Sequence, residues 1–421
     1  MEVSIMEILA ARDNRAAVQK RLLNTFGKPL ICFTMNIAGP VKYSSHIQKA
    51  YDLGKQLLLA RVRPIHFEEV IAVTGCEGFF VVDTLAEELK RICVMIEDSQ
   101  AICRLFDMDV LDVEGRKLSR EELGLEGRKC LICQQSAHVC SRSRAHGLAQ
   151  LQAKTAELLA LDAHASFVGS LAYQALIEEV CTTPKPGLVD MANSGSHTDM
   201  DVTTFRKSAL ALRDYFYEAA TCQDFAPLRK KGIAAEKAMF RATSGVNTHK
   251  GAIFTLGILC TAAKDGDIFE NCKALCQGIV AQDLSHVTES TAKTAGEKLY
   301  AKYGITGIRG QAEKGFPAIR QVGLPILQEG LDRGLSLNEA GCAALLHILC
   351  AVEDTNMITR SDMATAQAVT QKVSAILEAT PYPIKETLEK LDGEFIEKNL
   401  SPGGSADLLA ATYFIYFWRN M

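Results

Sequence analysis

The sequence predicts a chain of two domains, the first of α+β structure and the second entirely helical. Two observations predict the domains: short β-rich runs end near residue 118, and alanine- and leucine-rich segments at helical spacing begin near residue 148. The length supports this, because 421 residues that are 48% hydrophobic exceed what one compact core usually holds. We place the boundary at residues 146–155 and expect domains of residues 1–150 and 151–421.

The apolar runs of the first half are rich in valine, isoleucine and phenylalanine, which favour strands. They are LICFTMNI, EEVIAVTGCEGFFVVD, ICVMIED and RLFDMDVLDV. Between them, residues 44–61 and 84–91 have the spacing of amphipathic helices. In the second half, the helical spacing begins in the segment 148–181 and predicts further helices at residues 204–220, 234–242, 251–263, 269–280, 288–303, 337–352, 364–379 and 405–418.

Charge and composition exclude several function classes. A net charge of −4 and a pI near 6.2 leave no excess of positive charge for broad binding of nucleic acid or an anionic membrane. The most apolar stretches, residues 252–263 and 408–418, are shorter than the roughly 20 residues that span a bilayer. Fourteen scattered cysteines and an N-terminus without an apolar signal core indicate reduced thiols and a cytoplasmic protein.

The run RLFDMDV contains two carboxylates, Asp107 and Asp109, at strand spacing. Both side chains project from one face of an extended segment, so they can share a metal ion such as Mg²⁺. In nucleotidyl transfer, such a pair holds the metal against a diphosphate during in-line displacement. The first domain is therefore predicted to be nucleotidyltransferase-like. A solvated strand edge is the alternative that this pattern leaves open.

A cysteine- and histidine-rich segment, RKCLICQQSAHVCSRSRAH, follows the predicted strands. Cys130, Cys133, Cys140 and His146 could form a tetrahedral zinc site. The spacing of the second pair is not that of a common zinc finger, so simple buried thiols remain an equal alternative. The arginines of this segment could neutralise a diphosphate or contact an acidic protein.

In the helical half, the most distinctive sequences lie in the predicted loops, which is where sites usually lie on a helical scaffold. These loops are residues 183–201, 244–252, 307–317, 353–356 and 399–407. The first contains Asp199 and Asp201, whose oxygens suit Mg²⁺ together with substrate phosphates. A helix N-cap is the alternative reading of this pair.

Basic residues and a glycine-rich turn in these loops are candidate phosphate ligands. Lys185 and Lys250 could contact phosphate oxygens, or they could simply be solvated. The turn at residues 401–405 opens the last predicted helix, where free N–H groups bind anions or take an ordinary cap. Arg309 could bind substrate or form an ion pair with Glu313. The sequence contains neither a Walker A motif nor a GxGxxG motif.

Together the C-terminal loops resemble those of the triphosphoribosyl-dephospho-CoA synthase family, called CitG. The strings that match are KPGLVDMANSGSHTDMD, GVNTHKGAIFTLG, GIRGQAEKGFP, EDTN and LSPGGSADLLAATYF. The resemblance implies an all-helical enzyme that joins the ribose of ATP to that of 3′-dephospho-CoA and releases adenine. Attack on the anomeric carbon needs a carboxylate near the developing positive charge, a base and a proton for adenine.

The residues that we assign to this reaction come from the same loops. Glu353 or Asp354 is the expected catalytic carboxylate, and Asp199 and Asp201 are the expected Mg²⁺ ligands. The expected substrate-binding residues are Lys185, Asn193, Ser194, His197, Lys250, Arg309, Ser401, Gly403 and Gly404.

The first half resembles the apo-citrate lyase phosphoribosyl-dephospho-CoA transferases, called CitX. The matching strings are ARDNRAAVQKRLL, CFTMNIAGPVKYS, CRLFDMDV and RKCLICQQSAHVCSRSRAH. The resemblance implies transfer of the phosphoribosyl-dephospho-CoA unit to a serine of the citrate lyase acyl carrier protein, the gamma subunit, with loss of pyrophosphate. It makes Asp107 and Asp109 catalytic metal ligands, and Lys42 and Arg104 substrate-binding residues.

The two resemblances predict consecutive reactions, because the helical domain would make the compound that the first domain consumes. ATP, 3′-dephospho-CoA and the carrier protein are then the expected partners. The alternative from another class of protein is a helical nucleotide hydrolase fused to a zinc-stabilised module that only binds the carrier protein.

Overall fold

The computed structural model describes residues 2–133 and 135–420. Contacts divide the chain into two compact units, one extending to Ser170 and the other comprising Leu171–Arg419. Helix Leu148–Leu159 packs against helix Ser45–Leu59, so the first unit continues past residue 150. The position at which the two activities divide stays a prediction.

The first unit is an α+β domain. Strands β1 (Leu30–Met35), β2 (Pro64–Ala72), β3 (Gly75–Val82) and β4 (Phe106–Leu111) form an antiparallel sheet in the order β2-β3-β1-β4. Its helices are α1 (Ile5–Phe26), α2 (Ser45–Leu59), α3 (Ala86–Ser99), α4 (Ala137–Ser143) and α5 (Leu148–Leu159), with 3₁₀ turns at Ile102–Leu105 and Glu121–Leu123.

Helices cover both faces of this sheet. On one face, Leu22 of α1 packs in a buried cluster with side chains of β1 and β3. On the other face, the rings of Phe33 and Tyr51 stack with their centroids 4.9 Å apart, which places α2 there. Gly54 makes this approach possible, because a Cβ at that position would lie 2.4 Å from the Phe33 ring. Strands β1 and β3 are therefore mostly buried, whereas β2 has no buried residue and buried residues alternate with half-buried ones along β4.

One of the strand predictions is wrong. The run ICVMIED lies in α3 rather than in a strand. Its five consecutive apolar residues resemble a buried strand locally, but the buried residues Leu89, Cys93 and Ile96 are spaced as on one face of a helix. Helix α1, which the strand pattern did not reveal, is closed at its start by a capping box between Ser4 and Glu7.

The second unit is helical throughout its described residues, which confirms the predicted class. Helix α6 (Ala163–Cys181) includes the division between the units. The following helices are α7 (Val202–Ala220), α8 (Phe225–Ala242), α9 (Lys250–Ala262), α10 (Ile268–Leu275), α11 (Ile279–Leu284), α12 (Ala295–Tyr303), α13 (Gly307–Glu313), α14 (Leu324–Asp332), α15 (Leu337–Ala351), α16 (Thr355–Arg360), α17 (Met363–Ala379), α18 (Lys385–Glu397) and α19 (Gly403–Arg419), with a π-turn at Ile319–Gly323.

Three helices, α9, α15 and α19, form the centre of this unit. They are apolar on nearly all sides, and α19 packs against the other two. The loop predicted at residues 307–317 is in part α13, and residues 353–356 lead directly into α16. The helix starts therefore lie close to the distinctive sequences. None of the described helices is long and apolar enough to span a bilayer.

Candidate active sites

A cavity of about 1090 Å³ lies within the helical unit. It is formed by the starts of α9, α13, α16 and α19 together with part of the loop before α7. Its volume is at the upper end of the range for ligand pockets, which is appropriate for more than one substrate. The predicted residues that line it are His197, Asp199, Lys250, Glu353, Asp354, Ser401, Gly403 and Gly404, whereas the predicted Arg309 is not among the lining residues.

Carboxylates outnumber cationic side chains in the lining of this cavity. Five carboxylates and three lysine or arginine side chains line it among the described residues. A polyphosphate in such a cavity needs additional positive charge, which a divalent cation supplies. The carboxylates are Glu179, Asp199, Glu353, Asp354 and Asp407, and the cations are Lys250, Lys314 and Arg360.

The Asp354 carboxylate connects the starts of two helices. Oδ1 accepts from the N–H groups of Asn356 and Met357 at 3.0 and 3.1 Å, and Oδ2 accepts from the N–H and hydroxyl of Ser405 at 2.7 and 2.8 Å. Burial raises the pKa of Asp354, although these bonds oppose the rise. The carboxylate thus occupies the N-terminus of α19, where an incoming anion was expected. Its predicted catalytic role stays a prediction.

Asp407, on α19, is a cavity residue that the sequence reasoning missed. Burial raises the pKa of Asp407 well above its ordinary value, and the nearby carboxylates of Glu179 and Asp354 raise it further. Gly251 leaves room for it, because a Cβ there would lie 1.9 Å from Asp407 Oδ2. A raised pKa favours the protonated form of a carboxyl group, which is the form that can act as a general acid. Asp407 lies in the sequence LSPGGSAD, which resembles the CitG family, but no spacing pattern marked it as a site residue.

His249 is a second missed residue of the cavity wall. Thr248 donates to the Ser208 hydroxyl at 2.8 Å, and this hydroxyl lies 2.6 Å from His249 Nδ1. Burial, together with the nearby charge of Lys185, lowers the pKa of His249 to about 3, which favours the neutral ring. Among the described residues, no group forms a hydrogen bond with its buried Nε2. A substrate atom in the cavity could do so.

A second polar group borders the cavity where the loop at 183–201 approaches the start of α19. His197 Nε2 lies 2.9 Å from the Ser401 hydroxyl, and His197 Nδ1 lies 3.9 Å from Asp199 Oδ1. Burial lowers the pKa of His197, and the guanidinium of Arg360 lowers it further. Arg360 donates to the carbonyl of Ser196 at 2.5 Å, which holds the arginine beside this loop.

Two predicted residues, Asp201 and Lys185, form a helix cap and a buried ion pair within the helical unit. Asp201 caps α7 by accepting from the Thr204 N–H and hydroxyl at 2.8 and 2.7 Å, which is the alternative reading of the acidic pair. Lys185 is buried and pairs with the Glu179 carboxylate. Neither Asp201 nor Lys185 is among the residues that line the cavity. Their predicted roles stay predictions.

Arg309 and the residues before His197 also have partners within the helical unit. Arg309 pairs with Asp283 at 2.8 Å, so the structure gives it an ion pair but with a different partner from Glu313. Asn193 donates to Asp392 at 2.8 Å and accepts from the Gly195 N–H at 2.6 Å. Ser194 accepts through its backbone carbonyl from the His197 N–H at 3.1 Å. These contacts shape the loop that presents His197 to the cavity.

In the first unit, Asp107 and Asp109 share one face of β4, as predicted from their spacing. Asp109 pairs with Lys117 at 2.6 Å, and Asp107 lies 3.5 Å from the guanidinium of Arg128. Burial raises the pKa of Asp107, and the adjacent Asp109 raises it further, while Arg128 opposes both. Two close carboxylates flanked by cations form a site suited to a metal ion and a diphosphate.

Two buried side chains of α3 hold β4, which is an edge strand. Glu97 accepts from the Met108 N–H at 2.8 Å, and Lys90 donates to the Met108 carbonyl at 3.2 Å. These bonds satisfy the backbone groups that point away from β1. Met108, which lies between the two aspartates, is thus held by α3 on the side of β4 that faces away from β1.

Other basic residues of the first unit lie at or near this face. Arg15 of α1 donates to Glu77 of β3, and its charge also interacts with Asp107. The predicted phosphate ligand Lys42 donates to the Ile37 carbonyl at 2.6 Å, and burial lowers the pKa of Lys42. Arg104 donates to the Lys129 carbonyl. The sequence reasoning missed Arg15, although ARDNRAAVQKRLL contains it.

The cysteine- and histidine-rich segment brings its four predicted metal ligands together. One ligand atom from each of Cys130, Cys133, Cys140 and His146 lies within 4.8 Å of the others. Burial works to raise the pKa of Cys130, but hydrogen bonds from the Cys133 and Ile132 backbone N–H groups help to lower it to about 7.

The first unit has an acidic pair on its edge strand β4, and the helical unit has an acidic cavity. These two sites are typical of one class of protein, an enzyme with two active sites for phosphorylated substrates. Comparison with known families identifies the two halves. Residues 3–161 match the family model of apo-citrate lyase phosphoribosyl-dephospho-CoA transferase, CitX. Residues 165–420 match that of ATP:dephospho-CoA triphosphoribosyl transferase, CitG.

Relatives of the whole chain have the same arrangement. Protein CitXG of Haemophilus influenzae is 34% identical and aligns with 100% of this chain and 97% of its own length. Protein CitXG of Leuconostoc mesenteroides subsp. cremoris is 35% identical, with 98% and 97% covered. The 2-(5''-triphosphoribosyl)-3'-dephosphocoenzyme-A synthase of Pectobacterium atrosepticum is 42% identical over 58% of this chain and 86% of its own length.

This chain therefore belongs to the family of CitX–CitG fusion proteins. It is a bifunctional transferase that synthesises the prosthetic group of citrate lyase and attaches it. The comparisons do not favour the alternative of a nucleotide hydrolase fused to a carrier-binding module.

Proposed function

We propose that the chain performs its two transfers at the two acidic sites described above. In the helical cavity, a ribose hydroxyl of 3′-dephospho-CoA attacks the anomeric carbon of ATP, the bond to adenine breaks, and 2′-(5''-triphosphoribosyl)-3′-dephospho-CoA forms. In the first unit, a serine hydroxyl of the citrate lyase acyl carrier protein attacks the phosphorus next to the ribose. The phosphoribosyl-dephospho-CoA unit is transferred, and pyrophosphate leaves.

The polar rim of the cavity is our proposed triphosphate site. Arg360, Lys250 and His197 would contact phosphate oxygens, and Asp199 and Glu353 would be the carboxylate ligands of Mg²⁺. This ligand set suits Mg²⁺, which prefers oxygen donors and usually takes one or two carboxylates together with substrate phosphates. Lys250 lies 2.6 Å from Glu236, and it must exchange this ion pair for a phosphate oxygen. When bound, the metal would neutralise phosphate charge.

We assign Asp407 the role of proton donor to the departing adenine. The proposal rests on three observations: its enclosed carboxyl group lies in the cavity wall, two further carboxyl groups lie nearby, and its pKa is raised. As the ribose–adenine bond lengthens, charge develops on the base, and a proton from Asp407 stabilises it. His249 Nε2 would donate a hydrogen bond to a substrate atom in the same cavity.

For the second transfer, we propose that the first unit acts as a nucleotidyltransferase-like domain. Asp107 and Asp109 are suitable ligands for Mg²⁺, which would stabilise the charge on the leaving diphosphate. Lys117 and Arg128 pair with these carboxylates and would contact the diphosphate in the proposed complex. Lys42 and Arg104 are further proposed phosphate contacts. The nucleophile comes from the carrier protein.

The observation that supports this proposal most directly is the shared face of Asp107 and Asp109 beside Lys117 and Arg128. The test is mass spectrometry of apo carrier protein incubated with the chain, ATP, 3′-dephospho-CoA and Mg²⁺. We expect a serine-linked mass increase that depends on all three small molecules.

Single variants then separate the two sites. Asp107→Asn and Asp109→Asn should abolish modification of the carrier protein while adenine release continues, because the helical cavity is unchanged. The exposed Asp83, which pairs with Lys28 at 2.5 Å, offers a control, and Asp83→Asn should leave both reactions intact. Unchanged carrier modification in both active-site variants would contradict the assignment.

We further propose that the protein works in the cytoplasm, on small molecules and a carrier protein rather than on nucleic acid or a membrane. Its cysteines are free thiols in the structure, which is the state that a reducing compartment maintains. Its slightly acidic net charge supports the choice of partners.

A further inference from the structure

The segment that follows β4 has almost no apolar core. Among residues 121–133 and 135–154, Cys130 is the only buried one in the structure. The loop is nevertheless closed by short backbone bonds, from Cys130 N–H to the Gln135 carbonyl at 2.6 Å and from Ala137 N–H to the Arg128 carbonyl at 2.8 Å. A segment with so little apolar burial needs another source of stability, and a metal ion is a common one.

We propose that Cys130, Cys133, Cys140 and His146 bind one structural Zn²⁺ ion. Cys133 Sγ lies 3.4 Å from Cys140 Sγ and 3.2 Å from His146 Nε2, and all four ligand atoms lie within 4.8 Å of one another. In a tetrahedral site, Zn–S bonds of about 2.3 Å and Zn–N bonds of about 2.0 Å place the ligand atoms roughly 3.5–3.8 Å apart. The four atoms therefore need only small shifts to surround the ion.

The ligand types select zinc and a structural role. Three thiolates and one imidazole match the sets that bind tetrahedral Zn²⁺, and they are poor ligands for Mg²⁺. Four protein ligands complete the coordination, so no position remains for a substrate or an activated water molecule. This site is therefore distinct in chemistry from the acidic pair on β4.

The proposed zinc site would fix an arginine of the neighbouring acidic site. Arg128 precedes Cys130 by two residues, and its guanidinium donates to the carbonyls of Arg104 and Phe106 at 2.7 and 2.6 Å. The same guanidinium lies 3.5 Å from Asp107 Oδ1. The ion thus holds the loop from which Arg128 reaches the site. This positioning role rests on the proposed function of Asp107, whereas zinc binding does not.

Metal content of the full chain, purified without chelator, is the first test. We expect one zinc per chain, its loss in Cys133→Ser and Cys140→Ser, and its retention in Cys222→Ser, whose thiol is buried in the helical unit. Replacement by cobalt(II) should give the visible absorption of a tetrahedral thiolate site in the wild type only. Less than about one-tenth of a zinc per chain, equal loss in Cys222→Ser, or a Cys133–Cys140 disulfide would overturn the proposal.

Chelation of the wild-type chain tests the positioning role without a variant that could misfold. Once the chelator has been dialysed away and Mg²⁺ restored, the loss of zinc should make residues 121–146 sensitive to protease and slow carrier modification, while adenine release is unchanged. Added zinc should reverse both effects. If zinc is bound but its removal leaves carrier modification unchanged, the structural site stands and the positioning of Arg128 is wrong. Asp107→Asn should retain zinc, so a failure of the proposed transfer role is distinguishable from a failure to bind metal.

Discussion

Replacement of Asp407 by Asn tests the proposed chemistry of the helical cavity most directly. Asn fills nearly the same space and can donate a hydrogen bond, but it cannot give a proton. A positioned general acid contributes about a hundred- to ten-thousandfold to a rate, which corresponds to roughly 3–5 kcal/mol of transition-state stabilisation. We expect a loss of kcat in this range for adenine release.

The pH profile gives a second, independent readout. Burial and the carboxylates of Glu179 and Asp354 raise the pKa of Asp407, so the acid is protonated at pH values where an ordinary aspartate is ionised. Wild-type kcat should therefore fall as the pH rises through this raised pKa, whereas the Asp407→Asn profile should lack that fall. The assay is chromatographic measurement of adenine and of the triphosphoribosyl product.

The chain provides its own control for this experiment. Given the triphosphoribosyl compound directly, Asp407→Asn should still modify the carrier protein at the wild-type rate, because that step uses the first unit. Asp362, the exposed N-cap of α17, is a matched control, since Asn is also a good cap and the residue is absent from the cavity lining. A kcat for Asp407→Asn within about threefold of wild type, with the alkaline fall intact, would refute the assignment.

Two further predictions concern space and charge in the helical unit. Gly251→Ala should lower the rate of adenine release by displacing Asp407. Its control is Gly393→Ala, at a position in α18 where a Cβ has open space. This variant should leave activity unchanged and should raise the free energy of unfolding, measured in thermal melts, by roughly 0.5–1 kcal/mol. Burial works to raise the pKa of Asp283, but Arg309 and Arg229 outweigh burial and lower this pKa. The Asp283 carboxylate therefore stabilises the fold at pH values above its unfolded pKa, and this stabilisation is lost as the pH falls through its folded pKa. Asp283→Asn should thus cost about 1–3 kcal/mol at neutral pH, reduced by the partial exposure of both arginines. In denaturant titrations this cost should shrink as the pH falls below the unfolded pKa of about 4 and should be lost below the lower folded pKa; a pH-independent cost would contradict this account.

Much of the fold follows from local periodicity, and the exceptions have physical causes. The helical class of the second half was predictable because apolar helices such as α9 and α19 are long and strongly biased in composition. The run ICVMIED was predicted as a strand because its β-branched residues favour one locally. It forms part of α3 because, as a helix, its apolar face packs against β4 and is stabilised by that contact. Local propensity cannot predict a contact between elements that are distant in the chain.

The site was predictable only in part for a different reason. Spacing alone placed Asp107 and Asp109 on one face, since the two-residue period of a strand requires it. Asp407 and His249 have no such local signal, because their properties come from burial among residues that are distant in the chain. For Asp354, the sequence predicted a catalytic carboxylate, but it gave no sign of the four hydrogen bonds by which this side chain joins the starts of α16 and α19.

The short turn between α5 and α6, at residues 160–162, has a practical consequence for separating the two activities. The two family matches meet there, ending at residue 161 and beginning at residue 165. A break at residue 150 would instead fall inside α5 and remove a helix that packs on α2. Two polypeptides divided at this turn, mixed at high dilution and compared with the intact chain, would measure how much covalent linkage accelerates delivery of the triphosphoribosyl compound.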